Sequence, residues 1–411
     1  MNEAPRPLSL TIVAAEESGD ALGGALARAL QAREGANLKL AGVGGRAMAA
    51  AGITSPFAIE DLSIIGLAAI PRRLPLILRR IRETADAIVA ARPDALVIID
   101  SPDFTHRVAR RVRHQAPSIP ILDYVSPTVW AWRPGRARSM RTYIDEVLAI
   151  LPFEPAEYVK LMGPPCRYVG HPLTERLAEL RPNAEEAQRR KADPPVVLVL
   201  PGSRTNEIRH LLDIFGATVA QLAAHTAAIE LVLPTVPHLA ARVRDGVARW
   251  AIAPRIVVEP AEKWAAFRRA RAALAASGTV TLELALSGIP TVAAYRFSAF
   301  EALIVDFIRL QRKLRGRRAL PSVILANLVV GENVVPEFIQ ADCTAEHLVE
   351  ALIPLLADTP QRQRQIEAFG RLDAIMAVGS ALPSAQAAEV VLDVARRGRS
   401  DPALPLAEAS C

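Results

Sequence analysis

A Gly-Ser-Arg turn in the second half of the sequence has the residue types that bind phosphate. The stretch PGSRTNEIR follows the apolar run VVLVL, so Gly202, Ser203 and Arg204 join a buried strand to a helix. Backbone N–H groups at a helix N-terminus favour an anion, and a guanidinium fits phosphate oxygens. The turn lacks the spacing of a P-loop. We therefore predict a phosphate cradle here, with a surface ion pair of Arg204 to Glu207 or Glu230 as the alternative.

A second turn of this kind occurs in ASGTVTLELALSGIP. Ser277, Gly278 and Thr279 again precede a helix, and Glu283 lies four residues after Thr279. A carboxylate so close to bound phosphates would repel them, so Glu283 is better suited to the diol of a ribose. Ser-Gly-Thr can also be a simple capping motif. Two such turns in one half of the chain nevertheless predict a nucleoside diphosphate site, with an acceptor held by the other half.

Acidic residues follow two apolar runs in the first half. Asp100 directly follows ALVII, where a carboxylate can act as general base on a substrate hydroxyl. A turn or capping aspartate is the alternative, and Asp103 is predicted to cap the next helix. Glu16 lies in EESGD after the first apolar run. Capping of the first helix explains Ser18 and Asp20 in this loop, whereas Glu16 indicates contact with a sugar or another hydroxylated ligand.

A glycine-rich run, AGVGGRAMAAAG, raises the alternative of a nicotinamide dinucleotide enzyme. Gly42, Gly44 and Ala47 formally match G-x-G-x-x-A, with Glu60 and Asp61 downstream. The dinucleotide fingerprint normally follows the first strand of a domain, and EESGD already holds that place. The glycines are therefore better explained by close backbone packing or acceptor contact.

Alternating apolar and helix-period segments predict the elements that position these turns. The apolar runs are LSLTIVAA, LKLAGVGG, ALVIIDSPDF, IPILDYVSP and EVLAILPF in the first half, and VVLVLPGSR, IELVLPT and AALAASGT in the second. Continuous apolar runs between helices are typical of parallel strands buried on both faces. The predicted fold class is α/β, with two Rossmann-like doubly wound domains, a cleft between them and a helical C-terminus. Ligands of such sheets bind beyond the carboxyl ends of the strands.

The polar, proline-flanked stretch HPLTERLAELRPNAEEAQRRKADPP interrupts this alternation and marks the predicted domain boundary. The C-terminal helices are considered either to return to the first domain or to exchange within a swapped homodimer. The predicted segments are 1–175 for the acceptor-binding domain, 176–345 for the nucleotide-binding domain, 346–397 for the C-terminal helices and 398–411 for a disordered tail.

Composition restricts the class of protein. The chain has 411 residues, 51% of them hydrophobic, which is typical of a globular protein, and a formal net charge of +6. Basic residues cluster in PRRLPLILRRIR, RVARRVR and LQRKLRGRR. Each run is explained by a solvated helix face, and together they favour an anionic surface, either membrane or nucleic acid. Three cysteines without metal spacing fit a reducing compartment. The segment LSIIGLAAI is too short to span a bilayer.

The ordered motifs resemble the lipid-A-disaccharide synthase family. ESGD, GVGG, LSIIG, IDSPDF, YVSPTVWAWR, LPFE, VGHP, LPGSR, ASGTVTLE and VVPEFIQ follow one another between Leu8 and Leu392. The resemblance implies an inverting glycosyltransferase of GT-B-like fold that moves a sugar from UDP-2,3-diacylglucosamine to the 6-hydroxyl of lipid X, 2,3-diacylglucosamine 1-phosphate. It implies no metal and no cofactor. It also implies a cytoplasmic protein attached peripherally to the inner face of the inner membrane.

The resemblance also implies roles for individual residues. Asp100 takes the position of the family aspartate, as general base on the acceptor hydroxyl, and Glu16 is taken as a second catalytic residue. Arg204 and Glu283 match the UDP-binding arginine and glutamate of the family. An asparagine and a glutamine near the end of the family sequence fall on Asn327 and Gln340. The predicted substrate-binding set is Ser18, Gly202, Ser203, Arg204, Ser277, Gly278, Thr279, Glu283, Asn327 and Gln340.

Some positions depart from the family. Its loop GEASGD reads AEESGD here, and its LPN motif reads LAN at residues 325–327. One competing interpretation is another GT-B enzyme, such as a UDP-N-acetylglucosamine epimerase. A second is a nucleic-acid-binding protein that uses the arginine runs. No recognition motif supports this second interpretation, so nucleic acid is not predicted as a partner.

Overall fold

The computed structural model describes residues 6–62, 70–131, 133–226, 228–296, 322 and 324–399. Three sequence predictions lie wholly or partly outside these residues: most of the apolar segment LSIIGLAAI, the basic run that begins at Leu310, and the tail from residue 400 onward. The described residues form two compact units. The first unit comprises residues up to Glu175 together with those from Ala377 onward, and the second comprises Arg176–Met376.

The first unit is built on a six-stranded parallel sheet. Its strands are β1 Leu8–Ala14, β2 Leu38–Val43, β3 Ala95–Ile99, β4 Ile121–Tyr124, β5 Glu146–Ala149 and β6 Cys166–Tyr168. They pair in the order β2-β1-β3-β4-β5-β6. Every residue of β3 is buried, as expected for a strand covered on both faces.

Helices cover both faces of this sheet. They are Glu17–Glu34, Arg46–Ala50, Ile70–Ala91, Thr105–Gln115, Gly135–Met140, Glu154–Lys160 and Pro383–Arg397. Alternate residues of one strand enter different cores: Ile12 belongs to one cluster and Val13 to the other. This period of two follows from the pleat of the strand.

The last helix within the described residues belongs to the first unit. Helix Pro383–Arg397 packs against helix Glu17–Glu34, and its Val390 and Val391 are fully buried. Burying such a side chain contributes about 1.5–3 kcal/mol. Arg396 adds an ion pair to Glu34 at 2.6 Å, which contributes little because it is exposed.

The second unit has its own six-stranded parallel sheet. Its strands are β7 Val196–Leu200, β8 Glu230–Pro234, β9 Arg255–Val257, β10 Ala272–Ala276, β11 Thr291–Tyr295 and β12 Glu337–Ile339. The order β12-β11-β10-β7-β8-β9 is the Rossmann order, whereas the first unit extends the flavodoxin-like order. The predicted α/β class with two doubly wound sheets is thus confirmed.

The helices of the second unit continue to Met376. They are Leu177–Leu180, Ala184–Lys191, Thr205–His225, Ala240–Val247, Pro260–Arg269, Val280–Leu286, Leu325–Val330, Ala345–Leu356, Pro360–Gly370 and Leu372–Met376. Helix Ala345–Leu356 completes the core of this sheet, where Leu348 and Leu352 are buried with Leu274. The sequence grouped residues 346–397 as one helical segment. The structure divides them, because only the helix from Pro383 packs on the first unit. None of the helices in the described ranges has the length and apolarity needed to cross a bilayer.

Candidate active site

The turns that carry the predicted catalytic and binding residues lie where the strand order of each sheet reverses. In open parallel sheets, ligands bind beyond the carboxyl ends of the strands at this reversal. In the first unit the reversal falls between β1 and β3, whose last residues Ala14 and Ile99 are register partners. In the second it falls between β7 and β10, with Leu200 beside Ala275. EESGD and IDSPDF therefore lie side by side, as do PGSR and ASGT.

Glu16 is joined to the IDSPDF turn by a direct hydrogen bond. The hydroxyl of Ser101 donates to Oε1 of Glu16 at 2.5 Å. Glu16 and Ser18 are both exposed at the start of helix Glu17–Glu34. The structure thus brings Glu16 and Ser18 to the edge of the sheet that also carries Asp100.

Asp100 is held in an unusual backbone conformation. Its φ is 49° and that of Ser101 is 45°, both in the left-handed region that residues other than glycine rarely adopt. The hydroxyl of Thr105 donates to the Asp100 carbonyl oxygen at 2.6 Å and so fixes this turn. Such conformations cost about 1–3 kcal/mol each and are concentrated at functional sites.

The pKa of Asp100 is raised above its ordinary value. Burial is the largest cause, and the negative charges of Glu16 and Asp123 add to it. A hydrogen bond from the Ser101 backbone acts in the opposite direction. Because a raised pKa makes the carboxylate a stronger base, these surroundings fit a group that accepts a proton.

The prediction that Ser18 or Asp20 caps the first helix is wrong. That helix begins after Glu16 without a side-chain cap. Asp20 lies one turn inside it, and its carboxylate accepts from the backbone N–H groups of Gly45, Ala47 and Met48 at 2.7–3.0 Å. Asp20 therefore fills the N-terminus of helix Arg46–Ala50, where free N–H groups converge.

The cap predicted at Asp103 is also wrong. Helix Thr105–Gln115 begins after Phe104, again without a side-chain cap. Asp103 is exposed, and Phe104 bonds through its N–H to the Ser101 carbonyl oxygen at 2.9 Å. The turn is thus closed by backbone and Thr105 contacts, which leaves Asp103 in solvent.

The GVGG run serves close packing. A Cβ at Gly42 would overlap the Ile12 carbonyl oxygen, and one at Gly44 would overlap the Met48 side chain. A dinucleotide pyrophosphate would need the N-terminus of helix Arg46–Ala50, which the Asp20 carboxylate occupies. This geometry opposes the nicotinamide interpretation of the run.

The first predicted phosphate cradle is closed by an internal carboxylate. The N–H groups of Ser203 and Arg204 donate to Oε2 of Glu207 at 2.9 and 3.2 Å. Gly202 has a φ of 111°, and a Cβ there would overlap the Glu207 carboxylate. The expectation of free N–H groups in this turn is therefore corrected, because the side chain of Glu207, three residues after Arg204, accepts the hydrogen bonds of both N–H groups.

The side chain of Arg204 remains the accessible part of this turn. It is 80% exposed and lies 3.5 Å from Oε1 of Glu207. The other suggested partner, Glu230, is bonded to Arg189 at 2.9 Å. Because an exposed ion pair is weak, an external anion can compete for the guanidinium.

The second predicted cradle is open. Gly278 and Thr279 are exposed, and a Cβ at Gly278 would meet no atom of the described residues within 4 Å. Helix Val280–Leu286 begins after Thr279 without a side-chain cap. Ser277 follows β10 and bonds through its N–H to Ala294 at 2.9 Å, which fixes the turn to the neighbouring strand.

Glu283 lies beside this open turn and is paired with a lysine. Its Oε2 is 2.7 Å from Nζ of Lys263, on helix Pro260–Arg269. The two side chains are 19% and 28% exposed. The sequence analysis missed Lys263, because it lies 20 residues before Glu283 and no short motif connects the two positions.

Asn327 is engaged inside the second unit. Its amide donates to the carbonyl oxygen of Val335 at 2.9 Å and to Ser322 at 3.2 Å, and its Oδ1 accepts from the N–H groups of Val334 and Val335. These contacts use both donors and both acceptor sites of the amide. In this structure the Asn327 amide is thus fully engaged by neighbouring groups of the second unit.

Gln340 directly follows β12 at the edge of the second sheet. Its φ is 56°, and it is partly exposed. Helix Leu325–Val330, which carries Asn327, packs against helix Val280–Leu286 behind the second turn. Gln340 and the Ser277–Thr279 turn both follow strands of the second sheet, so they lie at the same carboxyl end of that sheet.

Two buried carboxylates of the first unit were missed by sequence reasoning. Asp123, in β4, is fully buried with Nε2 of His106 at 3.2 Å. Glu154 accepts from the Trp130 indole N–H at 3.2 Å and from the Leu151 N–H at 3.0 Å. Burial raises the pKa of Glu154 to about 7, although these donors lower it. Asp123 lies within a predicted apolar strand and Glu154 directly follows another, so the sequence pattern did not indicate that these carboxylates are buried.

The architecture matches solved proteins of a known class. The S. aureus MnaA–UDP co-structure aligns with a TM-score of 0.61 at 11% identity, over 94% of this chain and 95% of that chain. The glycosyltransferase of kitacinnamycin aligns with a TM-score of 0.59 at 18% identity, over 95% and 99%. Identities this low concern the fold alone, which is GT-B-like with two parallel sheets.

Sequence comparison gives the family. The family described as lipid-A-disaccharide synthetase matches residues 10–390. The lipid-A-disaccharide synthase of Rhodopseudomonas palustris strain HaA2 is 60% identical over 390 residues, which cover 94% of this chain and 96% of the relative. The chain belongs to the lipid-A-disaccharide synthetase family and is a glycosyltransferase. The resemblance drawn from the sequence motifs is confirmed.

Proposed function

We propose that the chain transfers 2,3-diacylglucosamine from UDP-2,3-diacylglucosamine to the 6-hydroxyl of lipid X, with inversion at the anomeric carbon. The products are the β-1,6-linked disaccharide 1-phosphate and UDP. Family membership over residues 10–390 supports this reaction. The observation that carries the catalytic assignment is the meeting of Glu16, Ser101 and Asp100 at the strand-order reversal of the first sheet.

Asp100 acts as the general base. As the acceptor oxygen attacks the anomeric carbon, the Asp100 carboxylate takes its proton. The bond from that carbon to the diphosphate breaks at the same time, and its electron pair leaves with UDP. General-base assistance of this kind contributes about 10²–10⁴-fold in rate. The raised pKa of Asp100 supports the role, because it strengthens the base.

Glu16 supports Asp100 in two ways. Its negative charge is one cause of the raised pKa of Asp100. An ionised carboxylate only accepts hydrogen bonds, so Glu16 can also hold a sugar hydroxyl while Ser101 fixes its Oε1. Ser18, exposed on the same turn, adds a hydroxyl that can both donate and accept.

The donor is bound by the second unit. The exposed Arg204 guanidinium binds one phosphate of the diphosphate, and the open turn Ser277–Thr279 binds the other phosphate. Glu283, one helical turn further on, accepts from the ribose hydroxyls. Gln340 contacts the sugar at the same sheet edge, and Asn327 holds the segment that leads to β12.

The acyl chains of both substrates require access to a membrane. We propose that the protein is cytoplasmic and rests on the inner face of the inner membrane. Helix Ile70–Ala91 supports this placement, because Leu74 is 42% exposed and the Arg79 side chain is 70% exposed. Apolar and basic side chains exposed on one helix are typical of attachment to an anionic leaflet.

The test is turnover of purified protein in mild detergent, with both lipid substrates and no added metal. We expect disaccharide and UDP to form in equal amounts, with the β configuration at the new bond. UDP-N-acetylglucosamine alone, offered as a control, should be neither epimerised nor transferred. Absence of turnover across several acyl-chain lengths would refute the proposed reaction.

A further inference from the structure

Lys263 is a charged residue beside the donor turn to which the reaction assigns no role. Its Nζ lies 2.7 Å from Oε2 of Glu283. We propose that Lys263 is a positioning residue that holds the Glu283 carboxylate for recognition of the ribose diol. This inference rests on the proposed donor site, in which Glu283 binds the ribose.

Aromatic rings fix the lysine on its other sides. Its Nζ is 4.2 Å from the ring centroid of Trp264 and 5.3 Å from that of Phe267. These two rings are buried and meet edge to face at 5.3 Å. Cation–π attraction therefore adds to the ion pair, and the ammonium is held in one place before any ligand binds.

The fixed ammonium leaves acceptor capacity on Glu283. An ionised carboxylate offers about four lone-pair sites, and the ammonium takes one of them. Without Lys263 the carboxylate would be free to rotate away from the diol.

The first turn of the same unit shows a carboxylate that folds back onto its own turn. Glu207 has no lysine partner among the described residues; it lies 3.5 Å from the exposed Arg204 guanidinium and accepts from the N–H groups of Ser203 and Arg204. Glu283 is held by Lys263 instead, and its turn remains open. Lys263 thereby keeps one carboxylate available for a ligand.

The experiment measures binding of UDP, 2′-deoxy-UDP and uridine by calorimetry to wild type and Lys263→Met. Wild type is expected to prefer UDP over 2′-deoxy-UDP by about tenfold, the usual effect of a hydrogen bond to a charged group. In Lys263→Met this preference should nearly vanish, while the affinity for 2′-deoxy-UDP changes less than about twofold. Lys263→Gln keeps a donor without the charge and should retain part of the preference.

Arg268→Met is the matched control. Arg268 lies on the same helix and is paired with Glu186 at 2.8 Å, with a similar exposure. Its loss removes an ion pair but touches no predicted ligand group. The preference for UDP over 2′-deoxy-UDP should therefore stay at the wild-type level, with thermal melting confirming that each variant is folded.

Three outcomes would overturn the inference. An equal loss of affinity for all three ligands would make Lys263 a scaffold residue. A loss for both diphosphates but not for uridine would make it a phosphate ligand. An unchanged preference in Lys263→Met would remove its role while leaving the ribose role of Glu283 intact. A wild type without any preference would instead refute the ribose role within the proposed function.

Discussion

The carboxylates of the predicted site have different partners in the two units. In the first unit, Glu16 accepts a neutral hydroxyl and Asp100 is half-buried, and neither forms an ion pair within the described residues. In the second, Glu283 is paired with Lys263, and Glu207 is bound by backbone N–H groups and lies near Arg204. A carboxylate without a neighbouring cation remains a stronger base. A carboxylate that is paired with a cation repels a nearby anion less. The difference separates a unit suited to proton transfer from one suited to a diphosphate.

The largest expected effect follows from removing the base. Asp100→Asn should lower kcat by about 10²–10⁴-fold, because an amide cannot take the acceptor proton. UDP affinity, measured by calorimetry, should be unchanged. The control is Asp103→Asn, which changes an exposed aspartate of the same turn. Comparable activity in the two variants would end the assignment of Asp100.

Glu154 tests whether a buried carboxylate without a cation is costly. Its folded pKa of about 7 lies above its unfolded value, so its stabilising contribution is present at low pH and lost as pH rises through about 7. The melting temperature of wild type should therefore fall between about pH 5 and about pH 8, and the fall should be smaller in Glu154→Gln. Glu157→Gln, on the same helix, serves as control and should keep the wild-type slope.

Arg204 tests the anion-binding side of the comparison. Arg204→Ala should weaken UDP binding by about tenfold, because a charged hydrogen bond to phosphate is lost. Arg209→Ala removes an exposed arginine further along the same helix and should leave the affinity unchanged. If both variants bind UDP equally well, the attraction comes from general positive charge.

The two glutamates of the second unit should differ in their contribution to stability. Glu207→Ala removes a helix cap with two N–H bonds and should cost about 1 kcal/mol in the free energy of unfolding. Glu283→Ala removes a partly exposed ion pair and should cost about 0.5 kcal/mol or less. Denaturant titration of both variants gives the difference, and a reversed order would contradict the capping role of Glu207.

The smallest expected effect concerns the influence of Glu16 on Asp100. Activity requires ionised Asp100, so it should fall as pH drops through the raised pKa of that group. Glu16→Gln removes one cause of the raised pKa and should move the acidic limb of the pH–kcat profile to lower pH. Glu17→Gln, at the neighbouring exposed position, should leave the limb in place.

Much of the fold could be predicted from the sequence, because buried parallel strands read as continuous apolar runs. The turn after each run placed Asp100 and Ser277–Thr279 at the carboxyl ends of strands, where the structure has them. The strand order could not be read, since it depends on how the connecting helices pack. This is why the sequence did not distinguish the Rossmann order of one sheet from the flavodoxin-like order of the other.

Side-chain partners were predicted only when they were local in sequence. Glu207 lies three residues after Arg204, and this spacing was enough to suggest their pairing. Asp20 was misassigned because its partners Gly45, Ala47 and Met48 belong to another helix start. The pairing of Lys263 with Glu283 is likewise created only by the packing of two helices. Tertiary neighbours thus decided which carboxylates remain accessible.

The return of helix Pro383–Arg397 to the first unit affects the order in which the protein can fold during translation. The ribosome releases all of the second unit before this helix, which fills the core of the first unit with Ala387, Val390 and Val391. A nascent chain therefore carries an exposed apolar groove along helix Glu17–Glu34 until helix Pro383–Arg397 has been synthesised. Premature termination before residue 383 would leave that groove uncovered and open to chaperones and aggregation.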